Sequence, residues 1–174
     1  MIGDGGGASG TIEAVIDLTG FSTGSNGLFL AGESSITIGT PDATVSLSFE
    51  NNDNVTHLVV EGFTGVNGDD LDTDDDGILD VMPWTSVLDA VSLVETTVPD
   101  TTGDEEFFYA GTLGFSDVGP DGTSVPGHAF RCLTSLTDWR IGLFSPDDLS
   151  DSAGDFNSIC TCLLYTSPSP RDRG

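Results

Sequence analysis

The chain has 174 residues, the size of one domain, and carries 29 acidic residues against four arginines and no lysine, a formal charge of -25. That charge repels phosphate backbones and anionic membrane surfaces, and no apolar run approaches the roughly 20 residues that span a bilayer, so neither nucleic acid nor membrane is an expected partner. Twenty-three glycines and 37% hydrophobic residues, set out as short Val, Ile, Leu and Phe clusters between Gly, Asp, Thr and Ser, predict an all-β chain of strands and turns.

From the start, Ile2-Gly3-Asp4 reads as the end of a strand entering a glycine-rich loop, residues 3–10. A phosphate-cradling role for that loop would require a helix after it. Residues 12–18 come next instead, with a β-branched content that suits a strand, and then 27–32, a short apolar strand bracketed by glycines. Residues 35–38 and 43–49 alternate, with Val45, Leu47 and Phe49 on one face if extended, a period that suits a half-buried strand or one short turn of helix after Pro41-Asp42. Residues 54–63 form the strongest strand pattern in the chain and are expected to lie centrally. Residues 84–94 suit a strand with an irregularity near Asp89, 107–110 another strand, and 111–127 a long loop rich in Gly, Pro, Asp and Ser. Two further strands are expected at 129–132 and 139–144, before a polar segment that runs to Asn157. Seven or more short strands with glycine-rich turns point to a β-sandwich.

Between the two strongest strands lies GDDLDTDDDGILD, residues 68–80, with seven aspartates in thirteen positions. Counted from Asp72, aspartates fall at positions 1, 3, 5 and 9 (Asp72, Asp74, Asp76 and Asp80), with Gly77 at position 6 and the carbonyl of Ile78 at position 7. That is the spacing of a calcium loop. Alternate side chains of a tight loop converge on one point, the glycine turns where a side chain would clash, and mutually repelling carboxylates are held together by a cation. Position 12 is Pro83, where an EF-hand has its bidentate acid, so the loop is of a looser kind, with Asp69, Asp70 or Asp75 as additional ligand candidates. Ile78 and Leu79 are expected to anchor it to the core.

Other candidates carry less chemistry. His57 and His128 are the only histidines and are far apart in sequence, and both read as structural; no nucleophile and base pair can be placed. Cys132 and Cys160 are 28 positions apart and admit either a disulfide or two separate thiols. Asn54-Val55-Thr56 fits a glycosylation acceptor. Trp84 and Trp139 read as core or loop anchors.

The strands, the acidic loop running into Pro83-Trp84-Thr85, the strand at 87–95, Gly119-Pro120-Asp121-Gly122 and Val125-Pro126-Gly127-His128 together resemble the lamin-tail-type domains of secreted, often multidomain bacterial proteins. The resemblance covers most of residues 3–157 and implies an immunoglobulin-like β-sandwich, here lacking its first strand. It implies an extracellular or cell-surface accessory module that is not an enzyme and works beside attached domains or cell-surface components. The rival reading is an accessory fragment of a secreted calcium-dependent hydrolase such as a nuclease. Residues 162–172, CLLYTSPSPRD, are similar to the translated adapter of transposase-based sequencing libraries. The expected organisation is a lamin-tail-like sandwich over 1–157, a linker at 158–161 and a non-native tail at 162–174.

Overall fold

A computed structural model describes residues 1–3, 9–36, 39–47, 53–99, 107–120, 125–131 and 139–142. Among them there is no helix, and the all-β expectation holds. The strands are β1 (Ile2–Gly3), β2 (Thr11–Ile12), β3 (Ala31–Gly32), β4 (Ala43–Thr44), β5 (Val55–Glu61), β6 (Ser86–Leu93), β7 (Ser116–Val118), β8 (His128–Arg131) and β9 (Trp139–Gly142). Five of them form one mixed sheet in the order β2-β1-β5-β6-β7, while β3 with β4 and β8 with β9 form two-stranded pairs.

The run at 54–63 becomes β5, the central strand of the five, as its β-branched content requires. It pairs antiparallel with β6 over its whole length, from Val55 opposite Leu93 to Glu61 opposite Ser86. Val59 faces Asp89 and Val60 faces Val87, so Leu88 is the extra residue of a β-bulge. That is the irregularity expected near Asp89. Leu88 is left outside the ladder and more than half exposed. Asp89 meets Arg131 of β8 in an ion pair, and the Arg131 guanidinium lies 4.7 Å over the Trp139 ring of β9, so the β8–β9 pair is tied to the bulge.

Several expected strands are shorter than their patterns suggested. Of 12–18 only Ile12 is in a strand; Val15, Ile16 and Leu18 are exposed. Only Ala31–Gly32 and Ala43–Thr44 are extended within 27–32 and 43–47, as a parallel pair. The 111–127 loop contains β7, which pairs parallel with β6. Residues 107–110, expected as a strand, are not one, and the reason is chemical. Three of their four amide groups donate to hydroxyl side chains instead of to a backbone ladder: Phe107 to Ser9 Oγ, Tyr109 to Thr56 Oγ1 and Ala110 to Ser92 Oγ, each at 3.0 Å.

The core is built from Ile2, Ile12, Leu71, Leu79 and Tyr109, with Leu58, Phe63, Trp84, Phe107 and Leu113 packed against it. Two of its five central members belong to the acidic loop. The hydrophobic effect, at roughly 25 cal/mol per Å² of apolar surface removed from water, therefore pulls the loop down onto the sheet from two points. Cys132, Cys160, the linker at 158–161 and the tail at 162–174 lie outside the described residues.

Candidate metal centre

The acidic loop is fixed at the edge of the five-stranded sheet. Ile12 N–H donates to Asp69 O at 2.9 Å, Gly68 N–H to Ile12 O at 2.7 Å and Leu71 N–H to Gly10 O at 3.1 Å, so the loop covers the open side of β2. Its ends are drawn together where Asp80 N–H and Val81 N–H both donate to Leu71 O, at 2.8 and 3.1 Å. Leu71 at 1% and Leu79 at 8% exposure bracket the closed segment. Ile78, expected as the second anchor, is instead 61% exposed. Leu71 takes that place.

Inside the loop one carboxylate oxygen from each of Asp72, Asp74 and Asp80 lies within 4.8 Å of the other two. Oxygens bound to one calcium ion at about 2.4 Å can be no further apart than about 4.8 Å, so the group has the span of a single cation site. The donors are all hard carboxylate oxygens; no sulfur or imidazole belongs to the group, which favours an oxygen-seeking cation over zinc or copper. The chain has no lysine to neutralise these acids, and Arg131 is engaged with Asp89.

The three ligand candidates are held differently. Asp72 is fully buried: its Oδ2 accepts hydrogen bonds from the Tyr109 hydroxyl and from Gly77 N–H, both at 2.9 Å, and its Oδ1 accepts one from Asp76 N–H at 3.2 Å. Asp80 Oδ2 accepts from Thr73 N–H at 2.9 Å and from the Thr73 hydroxyl at 2.6 Å. Asp74 is exposed, and its carboxyl is pushed above the usual carboxylate range by the neighbouring charge of Asp76 first, then by desolvation and by Asp80, Asp72 and Asp75. Such a shift arises where negative charges are gathered close together.

Asp76, expected at position 5, is not one of the three convergent carboxylates; its Oδ1 accepts Ile78 N–H at 2.9 Å. It remains the strongest electrostatic neighbour of Asp74. Asp69 and Asp70 shape the backbone, accepting Val66 N–H at 2.8 Å and Asp72 N–H at 3.1 Å. Asp75 has φ of 51°, a left-handed conformation that aspartate tolerates better than most residues, and its buried Oδ1 has no hydrogen-bond partner among the described residues. Gly77 has φ of 85°, and a Cβ there would stand 2.7 Å from the Phe107 ring, so both its conformation and its neighbour require glycine.

A buried polar network beneath the loop escaped the sequence. Tyr109 has one hydroxyl proton and gives it to Asp72, so the 2.9 Å bond to Ser9 has Ser9 as donor, while Ser9 Oγ in turn accepts Phe107 N–H. Every donor in this series points towards Asp72. Burial, chiefly, pushes the Tyr109 phenol up, so it stays a neutral donor. Behind it Thr56 and Ser92, opposite each other on β5 and β6, share a 3.0 Å hydroxyl bond and accept the amides of Tyr109 and Ala110.

The remaining motifs stand elsewhere. His57 lies on β5, and its imidazole is held down to about 4 by burial first and by the charge of the Met1 amino group second. Asn54 is fully buried, donating to Thr96 O at 3.1 Å and accepting from Glu95 and Thr96 N–H, so its amide is engaged within the fold. A cleft of about 250 Å³ lined by Val15, Ile16, Phe21, Ala43 and Val45 contains one carboxylate, Asp17, and none of the acidic loop. The chain matches no protein-family model, no curated protein and no solved structure.

Proposed function

We propose that the chain is a non-catalytic, extracellular or cell-surface module, a lamin-tail-type immunoglobulin-like β-sandwich stabilised by calcium, which serves adhesion or the positioning of an attached domain. Asp72, Asp74 and Asp80 hold the ion, with Asp76 and the Ile78 carbonyl as further oxygens of the same loop. The observation that carries this reading is the convergence of three carboxylates within 4.8 Å on a loop clamped to the sheet edge by Leu71 and Leu79. A loop rich in acid and pinned at both ends by core residues keeps its charges close; a divalent cation converts that repulsion into attraction and ties the loop to β2. Stabilisation of a scaffold is the role that three convergent carboxylates on a loop pinned to the sheet edge suit best.

The test is calorimetric titration of the full chain with calcium, magnesium and zinc chlorides. One calcium per chain, bound more tightly than magnesium and abolished in the double variant D74N/D80N, is the expected result. Absence of calcium binding, or weak binding of many ions unchanged in that variant, would overturn the reading.

A further inference from the structure

We propose that Tyr109 is a positioning residue for the cation site and carries its occupancy to the central strand pair. The inference rests on the reading of the acidic loop as a cation site, and its own evidence is the geometry of the buried hydroxyls. Asp72 is 0% exposed, and its Oδ2 is fully engaged by Tyr109 and Gly77. Its Oδ1 accepts only the longer bond from Asp76 N–H and is the oxygen with acceptor capacity to spare. The Tyr109 hydroxyl thus fixes which edge of the carboxylate faces the loop.

The phenol is held in turn. Ser9 donates to it, and Ser9 is itself oriented by Phe107 N–H, so the donors form a polarised series, Phe107 to Ser9 to Tyr109 to Asp72, of bonds between 2.9 and 3.0 Å. At its other end Tyr109 is bonded through its backbone to Thr56 of β5, and its neighbour Ala110 to Ser92 of β6. A charge placed on Asp72 therefore acts on a residue that joins the loop to the two central strands. Ligand-holding carboxylates are commonly oriented by such hydrogen-bonded partners, and loss of one typically weakens metal binding by about 10- to 100-fold. The buried, unpartnered Oδ1 of Asp75 is a second oxygen in this loop, distinct from the three convergent carboxylates, that the described residues leave without a donor.

The experiment compares the full chain with Y109F, which keeps the ring and removes only the hydroxyl, by calcium calorimetry and by hydrogen exchange with and without calcium. Calcium is expected to slow exchange at the amides of Tyr109 and Ala110 in the wild type, and Y109F to raise the dissociation constant about 10- to 100-fold and lose that protection. A purely structural role lowers the melting temperature but leaves the dissociation constant of a variant that is over nine-tenths folded within about 10% of its intrinsic value. If Y109F does not fold, S9A, which leaves the Tyr109 to Asp72 bond but frees the phenol, is expected to weaken binding several-fold. Wild-type binding with an unchanged dissociation constant in the folded variant overturns the positioning role and leaves the cation site standing. No binding by the wild type overturns both.

Discussion

Thr56 and Ser92 offer a quantitative test of how the non-strand segment 107–110 is held. Both side chains are 0% exposed, they face each other across β5 and β6, and each accepts one amide from the segment while sharing a 3.0 Å bond with the other. Thr56→Val preserves shape but leaves Tyr109 N–H without its acceptor; Ser92→Ala does the same to Ala110 N–H. A buried donor left unsatisfied costs about 1 to 3 kcal/mol, so each single variant is expected to lose that much. Both singles also break the bond between the hydroxyls, which the double variant loses only once. The double should therefore be destabilised by about 1 kcal/mol less than the sum of the singles. Urea unfolding at fixed calcium, with unchanged dependence on denaturant, measures all four proteins. Strict additivity, or single variants within about 0.5 kcal/mol of wild type, would refute the assignment of these hydroxyls as the acceptors that replace a ladder.

The same geometry gives two further expected outcomes. Gly10 has φ of 86°, and a Cβ there would lie 2.6 Å from Asp72 Cβ, whereas Gly20, with φ of 87°, has nothing within 4 Å; G20A is expected to lose about 1 kcal/mol from the backbone alone, and G10A about 3 kcal/mol together with weakened calcium binding. Equal losses in thermal melts would show that Gly10 does not touch the site. His57 is neutral when folded until about pH 4 but protonates near pH 6.5 when unfolded, so its contribution is complete above pH 6.5 and declines as pH falls towards 4. Relative to H57Q, the wild type should lose about 2 kcal/mol between pH 6.5 and 4.5; parallel stability curves for the two would contradict the depressed imidazole.

The features legible in the sequence are those with a local period or spacing. β5 stands out by its β-branched run, the bulge by the break in apolar pattern near Asp89, and the acidic loop by aspartates on alternate residues ending in Gly77. What stayed hidden depends on partners distant in the chain. Phe107-Phe108-Tyr109-Ala110 has the composition of a strand, and only the hydroxyls of Ser9, Thr56 and Ser92, between 18 and 98 residues away, take its amides out of a sheet. The sequence also could not distinguish Asp76 from Asp80 as the third convergent carboxylate. That choice follows from the closure of the loop onto Leu71 O, which brings Asp80 back beside Thr73. Leu71 itself, flanked by aspartates, gives no periodic signal, yet it is 1% exposed because it packs in the core with Ile2, Ile12, Leu79 and Tyr109, all distant from it or hidden from a local pattern.

Whether the loop of Asp72, Asp74 and Asp80 binds a cation that stabilises the fold is read from the thermal melt of the full chain in excess calcium and in chelator. A cation that binds only the folded state adds about 2.7 kcal/mol at a hundredfold excess over its dissociation constant, or roughly 5 to 10 °C for a domain of this size. That rise is expected in the wild type and is expected to be lost in D74N/D80N. Superimposable wild-type melts in calcium and in chelator would contradict it.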